Sequence, residues 1–243
     1  MATDSKDFEK KMTATTTDPD EATTSSTSSA DEEASKKSDD SDDGGHILAK
    51  SRPTPFIARF YGEEHAADTE GRTLDDICAF DDDQLEYHHD FIQVLFPLPE
   101  RSGVNRDAPL IDKNTRDAFL EHEHLRKNLF KSFSRMARFY AFDVDGDEAE
   151  LTLSAATNFK QHARNTWLTS VDHNHLRITR IIRCLRILGL DQVAQTFYQA
   201  LVDNARGVSP RSLMYWKRAA KRPLELPPDQ PDGSRAVVEW LKS

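Results

Sequence analysis

His173-Asn174-His175-Leu176-Arg177-Ile178-Thr179-Arg180-Ile181-Ile182-Arg183-Cys184-Leu185-Arg186-Ile187-Leu188-Gly189-Leu190 is the stretch whose reading decides the fold. Arginine recurs there at every third position, at 177, 180, 183 and 186. At about 100° per residue, Ile178, Ile181, Ile182, Leu185 and Leu188 share a sector of roughly 120°, while the four arginines spread over the opposite half. The spacing predicts an amphipathic helix over 174–188 with a core face and a guanidinium face. Asn174 or Asp172 can cap its start, since a short polar side chain accepts from a free first-turn N–H. Gly189 can close it in a left-handed turn.

Similar helical spacing extends in both directions. Phe56–Gly62 reads as a short aromatic helix, and Thr73 starts another turn. A helix is expected over 81–96, with its acids at the N-terminus where the dipole favours them, and stopped by Pro97. Asp112 caps a long helix expected over 113–139. The run Asp143–Glu148 reads as a polar break, followed by helices near 154–168 and 191–202. Ser209-Pro210 opens the last clear helix, with a capping serine and a first-turn proline. Pro223–Pro231 reads as extended, with a short terminal helix near 237–241. No stretch alternates convincingly. The expected fold is all-α, six to eight helices packed face to face in one domain over 51–223, with a proline-rich extension over 224–243.

The charge of −10 sits mostly in the first fifty residues, which hold 13 acids and 6 bases and almost no large apolar side chains. Such a segment cannot offset its chain entropy by burial, so a disordered acidic tail is expected over 1–50. Ser38 and Ser41, each followed by two aspartates, form a pattern for acidophilic kinases. The N-terminus lacks an apolar signal core, no apolar run approaches the ~20 residues of a membrane span, and the two cysteines, Cys78 and Cys184, suggest no disulfide framework. A soluble intracellular protein, at most peripheral to a membrane, is expected.

Candidate chemistry is sparse. His122-x-His124 and His173-x-His175 place their rings on different sides of a helix and lack zinc-site partners. Asp143, Asp145 and Asp147 resemble the start of a calcium loop, but the glycine is misplaced and Ser154 stands where a bidentate glutamate belongs. Glu86 and His89, one turn apart, form an acid–base pair in outline. No nucleophile elbow, phosphate loop or metalloprotease motif occurs. Lys217–Pro223 carries a basic cluster that fits a nuclear import signal or a helix C-terminus equally well. The arginine row is the strongest candidate binding face, because guanidinium matches carboxylate and phosphate bidentately. The domain's near-neutral balance argues against general nucleic-acid affinity.

Three blocks resemble the conserved domain of the opioid growth factor receptor family. The first is Leu85-Glu86-x-x-His89-x-Phe91-Ile92-Gln93-x-Leu95-Phe96-Pro97-Leu98 followed by Ser102–Leu110. The second is Leu129–Tyr140. The third is Trp167 with His173-Asn174-x-Leu176-Arg177-Ile178-Thr179-Arg180-Ile181 and Leu185, Leu188-Gly189. The match runs over roughly 56–220. It departs at Val94 and Phe80, where the family favours tryptophan, and no peptide repeats follow the domain in these 243 residues. The resemblance implies a non-enzymatic receptor, of the nucleus, nuclear periphery and cytoplasm, that binds an enkephalin-like peptide and restrains growth. Arg177, Arg180, Arg183, Arg186, Trp167, His173 and Asn174 are the expected partner-binding residues. No catalytic, cofactor-binding or metal-binding residue is expected. The alternative is a scaffold whose arginine face holds a phosphoprotein or nucleic acid.

Overall fold

The computed structural model describes residues 54–102 and 105–242. The acidic tail, with Ser38 and Ser41, lies outside them. The order is α1 Phe56–Tyr61, α2 Leu74–Cys78, α3 Asp82–Tyr87, α4 Phe91–Leu95, α5 Lys113–Glu121, α6 Glu123–Phe139, β1 Phe142–Asp145, β2 Thr152–Ala155, α7 Phe159–Thr166, α8 Asn174–Ile187, α9 Asp191–Asn204 and α10 Pro210–Lys221, ending in a 3-10 turn at Glu239–Leu241. Helices carry the architecture as the sequence predicts, but there are ten of them among the described residues, where six to eight were expected.

The difference has a local cause. The expected helix over 81–96 breaks at His88, whose backbone is extended (ψ 132°), giving α3 and α4. The expected helix over 113–139 breaks at His122 (ψ 109°), giving α5 and α6. Helices of five or six residues are marginal alone, since nucleation is costly and their last carbonyls lack intrahelical donors. Here guanidinium groups supply donors at helix ends, short and long alike. Arg126 donates to Phe119 O and Leu120 O at the end of α5. Arg135 donates to Phe80 O just beyond α2, and Arg116 to Ile187 O at the end of α8. N-termini are closed by capping boxes at Thr73 with Asp76 and at Asp81 with Gln84, and by Asp112 and Ser209 as the sequence predicts.

The expected polar break at 143–148 is part of an antiparallel hairpin: its first three residues lie in β1 and the rest open the turn, in register Phe142↔Ala155 and Val144↔Leu153. It is the one sheet among the described residues. Four-residue strands carry too few alternations to register as period two. Asp147 tightens the turn by accepting from the N–H groups of Ala149 and Glu150.

Helix α8 lies at the centre, packed on α9 and α10. Ile178, Ile181, Ile182, Leu185 and Leu188 are fully buried, as the stripe predicts. Around them stand Trp167, Trp216, Phe142, Phe159 and Phe197, in edge or stacked contacts with ring centroids 5.4–6.3 Å apart. Gly189 ends α8 at φ +89°, and Leu190 N–H donates to Leu185 O at 2.8 Å. This is the double-wound C-cap that needs a left-handed residue. A Cβ at 189 would stand 2.8 Å from Leu120 Cδ2. Gly189→Ala is therefore expected to cost about 1–3 kcal/mol, from left-handed strain plus the contact. Urea unfolding checks this; an unchanged midpoint would contradict it.

Candidate functional site

The candidate residues converge where the end of α3, the end of α7 and the start of α8 meet. Asn174 faces inward and is fully buried. Its amide donates to Thr166 O at 2.9 Å and to Glu86 Oε2 at 3.1 Å. Its Oδ1 accepts from Arg177 at 3.2 Å and from the Tyr140 hydroxyl at 3.4 Å. With Asn174 so engaged, the start of α8 falls to Asp172, whose carboxylate accepts from Asn174 N–H at 2.8 Å. His173, half-buried, lies between two carboxylates, 3.4 Å from Glu86 and 3.4 Å from Asp172. The Glu86–His89 pair divides: Glu86 turns to Asn174 and His173, and His89 Nδ1 accepts from Arg177 at 3.0 Å.

Trp167 is fully buried and donates from Nε1 to Tyr140 O at 3.0 Å. One residue outside the expected partner-binding set organises the same corner. His175, also buried, bonds Trp167 O at 2.8 Å through Nε2 and Ser212 Oγ at 2.9 Å through Nδ1. A carbonyl only accepts, so Nε2 carries the proton and Nδ1 accepts from the serine. Burial lowers the His175 pKa and keeps the ring neutral. In the sequence it stands out only in the His173-x-His175 pair, one residue from Asn174.

The arginine half of α8 is turned inward. Arg177 and Arg183 are only 5% and 3% exposed, whereas Leu176 is 41% exposed. Arg177 donates to Leu85 O at 2.9 Å and His88 O at 2.8 Å, the carbonyls left open where α3 breaks, and lies over the Phe91 ring. Arg180 donates to Phe96 O at 3.1 Å, just past α4. Arg183 donates to Leu224 O at 3.1 Å and Leu226 O at 3.3 Å and pairs with Glu100. Arg186 donates to Ala219 O at 2.8 Å and Arg222 O at 2.9 Å at the end of α10, and to Asp191. The sequence reading placed this face toward a partner; the structure commits its donors to the carbonyl ends of the chain's own segments. A polar helix face need not meet water when helix C-termini surround it, because those termini are themselves an unsatisfied negative surface.

Burial sets the electrostatics of the corner. It lowers the pKa of Arg177 and raises that of Tyr140. The Asp172 carboxyl is pushed up to about 6, first by burial and then by Glu86, against the pull of the Asn174 N–H. An acid whose folded pKa is raised favours folding fully only below its unfolded value of about 3.9, and that contribution is lost as pH rises through about 6. Asp172→Asn, which keeps an acceptor for Asn174, is expected to stabilise the fold by about 1–2 kcal/mol at pH 7.5 and by almost nothing at pH 4. Denaturant midpoints across that range check it; a gain that is the same at both ends would contradict the assignment.

The outer surface of this corner is an open depression of about 520 Å³, lined by Asp81, Asp83, Gln84, Glu86, Tyr87 and His88. Tyr87 is 80% exposed. Three carboxylates beside an exposed phenol suit an amine-bearing, aromatic ligand. A second depression, of about 340 Å³, joins Phe56, Val94, Asp90 and Asp107; its Asp68 and Asp90 are both held by Arg72. Among the described residues no cluster of three potential ligands forms a metal site, and no helix is long and apolar enough to cross a membrane.

The chain matches the model of the opioid growth factor receptor (OGFr) conserved region over residues 53–220. It is 36% identical over 135 residues to the opioid growth factor receptor of Rattus norvegicus, covering 54% of this chain and 23% of that protein. With the opioid growth factor receptor of Homo sapiens it shares 35% over 109 residues, covering 45% and 16%. With opioid growth factor receptor-like protein 1 of Xenopus tropicalis it shares 28% over 136 residues, covering 55% and 26%. The matched stretch thus spans about a quarter or less of those relatives' length. No solved structure matches.

Proposed function

Because the chain belongs to the opioid growth factor receptor family, we propose that it is a non-enzymatic module that binds a peptide or protein ligand through the depression beside α3. The relatives are named for an opioid growth factor, and the family resemblance implies an enkephalin-like peptide as ligand and a role in growth regulation. The observation that carries the reading is the acidic, tyrosine-bearing depression of Asp81, Asp83, Glu86 and Tyr87, which offers a peptide's ammonium its counter-charge and its aromatic side chain a ring. Beneath it, Asn174 and Arg177 form a buried network that bonds Glu86 from the inner side and holds that surface in place. Residence in the nucleus, nuclear periphery and cytoplasm follows from the same family reading.

Calorimetry with an enkephalin pentapeptide tests it. Saturable binding is expected, weakened by about tenfold or more in Asp83→Asn and Tyr87→Ala, since each removes one anchor worth about 1–2 kcal/mol. No heat at millimolar peptide would contradict the proposal, as would binding indifferent to both substitutions. Imaging the tagged chain with Lys217 and Lys221 replaced by Gln tests the import signal. Undiminished nuclear accumulation would exclude it.

A further inference from the structure

We propose that Arg183 of α8, Arg218 of α10 and Arg222 at its C-cap form a second docking surface, for a proline-rich acidic peptide, and that residues 223–232 are its resident and displaceable occupant. The surface is separate from the depression beside α3. Its present occupant reads Pro223-Leu224-Glu225-Leu226-Pro227-Pro228-Asp229-Gln230-Pro231-Asp232, and it lies beyond the stretch that matches the family.

The way this segment is held is that of a bound peptide. It contains no helix or strand, only successive turns, closed by Leu226 N–H on Pro223 O and Gln230 N–H on Pro227 O. Its main-chain carbonyls are read by guanidinium donors from the domain. Arg183 takes Leu224 O and Leu226 O. Arg222 takes Pro227 O at 3.0 Å and Gln230 O at 2.8 Å. Arg218 and Arg222 both meet the Asp232 carboxylate. Pro227 and Pro228 are buried, and Leu224 packs on the core. Carbonyl contacts give affinity without reading side chains, and the buried prolines give the pattern.

Charge points to the same occupant. Residues 223–232 carry Glu225, Asp229 and Asp232 and no Lys or Arg. Opposite them, among the described residues, the ion pairs of Arg183, Arg218 and Arg222 outside the segment come down to Glu100. With the segment seated, the three guanidiniums are 3%, 18% and 14% exposed. With it released, they lose their carbonyl acceptors and Asp232 together. A bare surface of that kind takes up any acidic segment of similar turn pattern, and the tethered copy holds the site by effective concentration. Asp232, 83% exposed, is the natural place for release to begin.

The test uses the full chain and a fluorescent synthetic peptide of residues 223–242. In a Pro227→Gly/Asp232→Arg chain the tethered copy is weakened. The added peptide is expected to bind that chain about tenfold or more tighter than the intact one, and to lose this binding when Arg183→Gln is added. A dimer formed by exchange of tails would be the same surface used in trans and would support the proposal. Equal affinity for both chains, or no binding to the folded variant, would overturn it. Hydrogen exchange on the intact chain decides independently of any variant. The amides of Leu226, Gln230 and Val238 are expected to exchange about a hundredfold faster than those of α8, by release of the tail alone. Exchange only at the rate of global unfolding would make the segment an integral part of the fold and end the proposal.

Discussion

Arg177→Met is expected to destabilise the domain by about 2–4 kcal/mol, although it replaces a buried cation with an apolar chain of similar length. Two effects oppose each other. Burial disfavours the charge, as the lowered pKa of Arg177 shows, so removing it recovers some desolvation energy. The substitution also strips donors from Leu85 O, His88 O and Asn174 Oδ1. Each acceptor left buried without a partner costs about 1–3 kcal/mol, so the loss outweighs the recovery. The damage falls on the break between α3 and α4, where these carbonyls have no helical donor. For a domain of this size each kcal/mol moves the melting temperature by about 2–4 °C, so a fall of roughly 5–15 °C is expected. Arg177→Lys is expected to recover little, because one ammonium lacks the planar fork that spans Leu85 O and His88 O. A melting temperature unchanged in Arg177→Met would mean that this side chain does not hold the break.

Trp167→Ala is expected to cost about 3–5 kcal/mol, the range for emptying a buried aromatic site. The ring is fully buried and contacts Phe142, Phe159 and Trp216. Its loss also leaves Tyr140 O without the indole donor. Against a total stability of about 5–15 kcal/mol, this leaves the domain partly unfolded near physiological temperature. Trp167→Phe fills most of the volume and lacks only the N–H, so it is expected to cost about 1–2 kcal/mol. Circular-dichroism melts of the two variants check the pair. Equal effects would mean that the indole hydrogen bond, and not the ring, dominates.

How much of this was legible in the sequence depends on the range of the interaction. The apolar stripe of α8, its glycine stop, the turn starting at Thr73 and the caps at Asp112 and Ser209 are local patterns, and the structure carries each of them. The breaks at His88 and His122 were not legible, because neither residue stops a helix by its own chemistry. The break at His88 is held by donors from Arg177, about ninety positions away in the chain. The hairpin at 142–155 was hidden by the brevity of its strands. At the candidate site, the sequence singled out Trp167, His173, Asn174 and the arginines, and the structure brings Trp167, His173, Asn174 and Arg177 to one corner. It could not show which way the guanidiniums point. Arginine beside an apolar stripe reads as solvent-facing on a helix with one neighbour. Helix α8 has neighbours on nearly every side, and its arginines meet the carbonyl ends of α3, α4 and α10 and of the segment beyond. No motif announced the acidic depression beside α3.

The α8 arginines act within the chain, donating to the carbonyl ends of α3, α4 and α10 and to the segment beyond. Arginine-selective modification of the native protein by phenylglyoxal, read by peptide mass spectrometry, tests this most directly. Arg177, Arg180 and Arg183 are expected to react at least about tenfold more slowly than the exposed Arg138 and Arg206, and to reach the same rate only in denaturant. Modification of Arg177 and Arg183 in the native protein as fast as Arg206 would contradict the account and return the arginine row to the solvent.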